Sequence, residues 1–274
     1  MLLSLVLNLA PETDGTAPSH LGRACYAQTL ARMAQFDASL AQAIHDRDGP
    51  KPLTCSGLSG GRRSTGGIVL RASEPCSVRI TGLNRPTVEC LLAAFGGKLP
   101  EVWTMQHIRF RVLGVVCDEA VDLWTGQTTY EKLATRFYST ATPVRHVTME
   151  FASPTSFRSK SLNMPLPLPG LVFGSLVDRW NTFGGTLLSD EFRRFAEEMM
   201  AVSRFELQSR SVEQKNAALS MGCVGTATYV ATGGDRYWHS AMEILADFAI
   251  FSGIGVKTTT GMGQSRRITE QEYR

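Results

Sequence analysis

The sequence predicts an α+β protein made of two successive units that share one element order, β-α-β-β-α-β. Three observations carry this prediction. Apolar residues fall in short strand-length runs, helical stripes with their own start and stop signals separate those runs, and the same order recurs in the second half of the chain. The order is that of the ferredoxin-like split βαβ unit, repeated here in tandem without obvious sequence identity between the halves. A chain of 274 residues suits two domains of ordinary size, and we place their boundary near residue 140, giving 1–140 and 141–274.

Leu2–Leu9 is apolar over the length of a strand, and Pro11–Pro18 is a loop rich in turn formers. Leu21–Met33 and Asp37–His45 read as helices, the second with Phe36, Leu40 and Ile44 as its core-facing stripe. Asp48-Gly49-Pro50 then stops the helix in a turn. Short strands follow at Pro52–Ser56, Gly67–Arg71 and Ser77–Thr81. Asn84 is placed to cap a helix over Thr87–Phe95, with Pro86 in its first turn and Gly96-Gly97 behind it. Met105–Val116 alternates as one strand: Ile108, Phe110 and Val112 on one face, His107, Arg109 and Arg111 on the other. Tyr130–Phe137 reads as a connecting helix. The order then recurs, with a strand over Val144–Phe151 and helices over Ser175–Phe183 and Asp190–Val202. Strands over Phe205–Val212 and Gly222–Thr232, a helix over Ser240–Phe251 and a last strand over Met262–Thr269 complete it. Pro165, Pro167 and Pro169 mark an extended loop inside the second unit.

Twenty-eight basic residues against 25 acidic give a net charge of +3, which excludes a histone-like polycation and leaves room for a local basic groove. Six scattered cysteines, at 25, 55, 76, 90, 117 and 223, contain no C-x-x-C pair. That excludes a zinc ribbon or a dithiol redox motif and predicts small buried thiols in a reducing compartment. Met1–Ala10 lacks a basic leading segment, and Asn8 interrupts its apolar run, so it reads as a strand rather than a signal peptide. With no apolar run of membrane-spanning length, the expected location is the cytoplasm, without a membrane partner.

The densest chemical signal is Gly253-Ile-Gly255-Val-Lys257-Thr-Thr-Thr-Gly261-Met-Gly263, followed by Gln264-Ser265-Arg266-Arg267. Glycines let backbone N–H groups approach an anion without a Cβ in the way, and Lys257, Arg266 and Arg267 add charge suited to phosphate. The loop lies between a helix and a strand, which is the wrong placement for a dinucleotide fingerprint, and it lacks Gly-Lys-Ser/Thr. A glycine-rich turn packed against a sheet is the competing reading.

His45 closes an amphipathic helix, where the negative end of the dipole favours an imidazolium, and Lys51 follows after a tight turn. A histidine that moves a proton and a lysine that meets charge on a phosphorane would suffice for phosphodiester cleavage without a metal. A histidine serving only the helix dipole competes with this. Asp46-x-Asp48 has no third ligand at useful spacing, so neither a metal nor another cofactor is expected. Arg62-Arg63, in Ser59-Gly60-Gly61-Arg62-Arg63-Ser64, forms a basic loop able to meet a phosphate backbone, or simply a solvated hairpin.

Gly253–Arg267 resembles the C-terminal glycine-rich loop of the CRISPR-associated repeat-processing endoribonucleases, the Cas6 family. Ile44-His45-Asp46 with Gly49–Ser56 resembles the family's catalytic-histidine helix end and the strand after it. Phe151–Arg158 and Leu171–Asn181 resemble the first strand and first helix of its second domain. These matches keep their order from about residue 20 to 268.

The resemblance implies tandem ferredoxin-like (RRM-like) domains that bind CRISPR repeat RNA in precursor transcripts and cut it to mature crRNA. It also implies metal-free chemistry, in which a 2′-OH attacks the scissile phosphate and leaves a 2′,3′-cyclic phosphate and a 5′-OH. Homodimers occur in the family, and other CRISPR effector subunits are further partners to consider. Where some members carry a tyrosine on the first helix, this sequence reads Leu30-Ala31-Arg32. Arg23, Arg32 and Arg179 are then candidates for a third catalytic group. A non-catalytic RRM-like RNA-binding subunit of a CRISPR ribonucleoprotein is the alternative from another class. Cleavage of repeat RNA in EDTA separates the two. A nucleotide-binding enzyme using the glycine loop fails on the loop's placement.

Overall fold

In the computed structural model the described residues are 1–72, 74–138, 143–160, 162–213 and 219–269. The chain divides into two compact units, Met1–Gln127 with Thr259–Gly261, and Thr128–Thr258 with Met262–Arg274. The boundary expected near residue 140 falls outside the described residues.

The first unit is built around β1 (Leu2–Pro11), whose odd-numbered leucines Leu3, Leu5, Leu7 and Leu9 are fully buried in one cluster. Alternation in a strand sends them all to one face, where they meet Cys25 and Met33 of α1 (Gly22–Ala34), Ile44 of α2 (Ala38–Asp46) and Leu91 of α3 (Arg85–Phe95). The sheet runs β3 (Leu53–Cys55), β6 (Cys76–Gly82), β1, β8 (Ile108–Val116), β7 (Val102–Met105), and β9 (Gly126–Thr128) also pairs with β1. A three-stranded sheet, β2 (Gly15–Ala17), β5 (Gly67–Leu70) and β4 (Arg62–Ser64), lies beside it in sequence. The segment expected as a plain loop, Pro11–Pro18, thus contributes β2, because its backbone pairs with Ile68–Leu70.

Two further expectations need correction. Met105–Val116 is not one strand but the hairpin β7–β8, reversing at Gln106-His107 with Gln106 at φ 57. The two-residue turn puts Met105 and Ile108 directly opposite each other on one face, so the alternation changes phase at the reversal and holds only within β8. Phe36 is not part of the core stripe of α2. It lies beyond the N-cap, 47% exposed, with the Arg32 guanidinium over its ring at 4.7 Å, and the buried residues of the helix are Ala41 and Ile44. The caps follow the sequence: Asp37 accepts from the Leu40 N–H and Asn84 from the Thr87 N–H.

The second unit begins with α4 (Tyr130–Tyr138) and centres on β10 (His146–Thr155). Its sheet runs β13 (Met200–Glu213), β14 (Leu219–Ala231), β10, β15 (Ser265–Ile268), and β11 (Phe157–Ser159) pairs separately with β12 (Leu162–Met164). Val147, Met149 and Phe151 point from β10 into a core shared with α5 (Pro169–Phe183), α6 (Phe192–Met199) and α7 (Arg236–Ser252). Edge-to-face packing of Trp180 on Tyr130 at 4.8 Å and on Phe248 at 5.3 Å fills its centre. The helix expected from Ser175 starts at Pro169, whose fixed φ suits the first turn. The last strand is shorter than expected, since Met262 and Gly263 belong to the preceding loop. In both units the second, third, first and fourth strands of the β-α-β-β-α-β order lie side by side in that sequence.

All six cysteines are free, and every one except the half-buried Cys117 is buried. Among the described residues no helix is long and apolar enough to cross a membrane.

Candidate active site

His45 lies exposed on the last turn of α2, and the end of that helix is held by one side chain. The Lys51 ammonium donates to the carbonyls of Ile44 at 2.6 Å, His45 at 2.7 Å and Arg47 at 2.6 Å. The helix's own N–H donors run out there, and the lysine supplies three in their place. Burial pushes the Lys51 pKa down, while the nearby Asp48 and Asp46 carboxylates oppose that shift. Arg47 donates to the Pro50 carbonyl at 2.7 Å and Gly49 takes φ 79, which shapes the return from His45 to Lys51.

The three arginines proposed as a third group have separate fates. Arg32 donates to the Ala94 and Lys98 carbonyls at 2.9–3.0 Å and to Gln35, so it ties α1 to the end of α3. Arg179 is buried; it donates to Ser175 Oγ and the Gly255 carbonyl, both at 2.6 Å, and more weakly to Thr258 Oγ1. Desolvation draws its pKa down to about 10. Both guanidiniums thus hydrogen-bond to groups within the protein. Arg23 is exposed on α1 and has no hydrogen-bond partner among the described residues.

Both flanks of the glycine loop are braced within the second unit. Ile254 donates to the Gly263 carbonyl at 2.8 Å, Val256 to Ser156 at 2.9 Å and Gly263 to Pro154 at 3.1 Å. Ser175 Oγ accepts from the Gly255 N–H at 2.9 Å while Arg179 takes that residue's carbonyl, so α5 grips both sides of one glycine. Gly253, Gly255, Gly261 and Gly263 are all buried with positive φ. A Cβ at Gly255 would run into the Ser156 carbonyl and one at Gly263 into that of Ile254. A side chain at either glycine would collide with backbone, so the loop packs tightly at these two positions.

Thr259–Gly261 belong to the first unit, where His20 Nε2 lies 2.6 Å from the Thr260 carbonyl and Gly261 bridges to Ser56. A Cβ on Gly22 would overlap Thr260. Sequence reasoning gave no role to His20, Gly22 or Ser175, although Ser175 lies in the Leu171–Asn181 segment that carries the resemblance.

The basic residues after the loop are also committed. Arg266 pairs with Glu150 at 2.8 Å, and Arg267 with Glu243 at 3.2 Å and Asp247 at 3.3 Å. Lys257 is exposed, with φ 58, and reaches Ser220 Oγ at 3.3 Å. Arg62 and Arg63 are exposed on β4. Arg109 pairs with Glu12 at 2.7 Å on a solvated strand face. Among the described residues no group of three or more His, Cys, Asp or Glu side chains could hold a metal ion.

Gly255→Ala should lower the melting temperature by roughly 2–12 °C, since strain at positive φ costs about 1–3 kcal/mol and each kcal/mol moves a chain of this size by about 2–4 °C. An unchanged melting curve would return this glycine to ligand contact.

Fold and site define a two-unit α+β protein with an exposed histidine on a clamped helix end and a glycine loop braced from within. The family model for CRISPR-associated endoribonuclease Cas6 matches residues 149–265. Cas6 proteins of Mycobacterium tuberculosis strains CDC 1551 / Oshkosh and H37Rv are 30% identical over 137 residues, 48% of this chain and 41% of the relative. That match spans less than half the length of these curated relatives. A Cas6 (TTHB231) product complex superposes with TM-score 0.78 at 26% identity, covering 98% of this chain and all of the other. A Cas6 (TTHA0078) product complex does so with TM-score 0.76 at 25% identity, over 98% and 99%. The chain is thus similar to Cas6 proteins in sequence over residues 149–265 and in fold over nearly its whole length.

Proposed function

We propose that this protein is a metal-independent endoribonuclease that cleaves CRISPR repeat RNA within precursor transcripts to give mature crRNA. The observation that carries the reading is His45, a titratable side chain left exposed at a helix end whose backbone is fixed by three hydrogen bonds. Likeness over almost the whole chain to Cas6 product complexes supports RNA as the ligand. We read each unit as ferredoxin-like (RRM-like), on the strand order common to both sheets.

In the proposed reaction the 2′-oxygen forms a bond to phosphorus as the bond to the 5′-oxygen breaks. The 2′-OH proton must leave, and the 5′-oxygen must gain one; an imidazole at His45 can serve this transfer. Negative charge grows on the phosphorane oxygens, and a cation must face it. Of the three arginines considered, Arg23 is the one whose guanidinium is uncommitted, and we assign it this role.

Cleavage should persist in excess EDTA and should stop when the nucleotide upstream of the scissile phosphate lacks its 2′-OH. Loss of cleavage in EDTA, or cutting of the deoxy substrate, defeats the mechanism. Tight binding without cleavage under any condition would favour the non-catalytic subunit. Arg62→Ala with Arg63→Ala should weaken RNA binding and lower the slope of log affinity against log salt by about 1–2, with melting unchanged. An unchanged slope would leave that strand as a solvated edge.

A further inference from the structure

We propose that Lys51 is a positioning residue that acts through the end of α2, and not a cation that touches the phosphate; this rests on the assignment of His45 as the proton-transferring group. An ammonium has three N–H donors. All three are used here, on the carbonyls of Ile44, His45 and Arg47 at 2.6–2.7 Å. Lys51 could reach a phosphate oxygen only by surrendering one of them, which would strand a carbonyl at the helix end.

The surrounding structure is arranged to keep the lysine there. Helix α2 has nine residues and no left-handed glycine directly at its end: the C-cap, Arg47, is extended at φ −60, ψ 126. The only backbone donor described at that cap is the Arg47 N–H, which goes to Ala43. The carbonyls of Ile44 and His45 come after that one, and the lysine meets both. Its positive charge also suits the negative end of the helix dipole. One of the bonds is to the carbonyl of His45 itself, so the lysine fixes the backbone from which the imidazole projects. Misplacing a reacting group by about 1 Å costs about a hundredfold in rate, and a frayed last turn moves a side chain by at least that much.

The consequence is that the two residues act in series. Lys51→Ala should slow single-turnover cleavage by about ten- to a hundredfold while RNA affinity and melting temperature stay nearly unchanged. In a His45→Ala background, where placement of the ring no longer matters, Lys51→Ala should cost nothing further. A direct contact with phosphate would act in parallel and would lower the rate of the double variant by a further tenfold or so, which overturns the proposal.

A second readout does not depend on cleavage. Hydrogen exchange at the amides of the last turn of α2 should quicken severalfold in Lys51→Ala while exchange in α1 and α3 stays the same. Unchanged exchange in that turn also overturns the proposal. If the parent chain cleaves no repeat RNA, the functional reading fails by itself, and the exchange comparison still decides whether Lys51 holds the helix end.

Discussion

His45→Ala should slow single-turnover cleavage of a repeat RNA by about a hundredfold or more, with affinity for the RNA nearly unchanged. General acid–base catalysis contributes factors of about 10²–10⁴, so about 2.7 kcal/mol of barrier is the least that the proposed role requires. The split between rate and affinity follows from the site: His45 is exposed at a helix end and carries no packing load, because α2 is anchored by Ala41 and Ile44. The fold should therefore survive the change. Cleavage at the parental rate would remove His45 from the mechanism. An equal loss of affinity and rate would recast it as a binding residue.

Arg267→Ala should lower the melting temperature by about 6–12 °C. The residue stands between Glu243 and Asp247, whose side chains are only 6% and 17% exposed, and its removal leaves two carboxylates with reduced compensation. Glu243 would keep the Val144 N–H at 3.2 Å, and Asp247 would keep Arg136 at 3.6 Å. Breaking a buried pair from one side costs about 3 kcal/mol or more, which sets the size of the shift.

The effect should also depend on pH. Burial pushes the Asp247 carboxyl above the usual carboxylate range, against the pull of Arg267 and Arg136. A folded pKa above the unfolded one means that the native state holds the proton longer, so ionisation costs stability as pH rises through that window. Removing Arg267 removes one of the downward pulls. The deficit of the variant should thus be smaller near the ordinary carboxylate pKa of about 4 than at neutral pH. If melting is unaffected while RNA affinity and its salt slope fall, Arg267 is an RNA contact after all.

Rules that act over a few residues were legible in the sequence. Alternation placed the leucines of β1 on one face, Asp37 and Asn84 capped their helices, and the recurrence of element order gave two sheets with the same strand order. The histidine at the helix end and the lysine after the turn were legible for the same reason, since the Lys51 bonds span only four to seven residues. What the lysine does with its donors was open, because sequence shows a charge and not the carbonyls around it.

The employment of the other basic residues was decided by the tertiary structure alone. Arg32, Arg179 and Arg266 find acceptors 62, 76 and 116 residues away, and His20 meets the Thr260 carbonyl across 240. The chain by itself determined most of the elements and that a histidine with a lysine behind it closes α2. Folding decided which acceptors these cations meet within the protein. A buried polar group has to be paired, the partner is whatever the packing brings within 3 Å or so, and no local pattern records that choice.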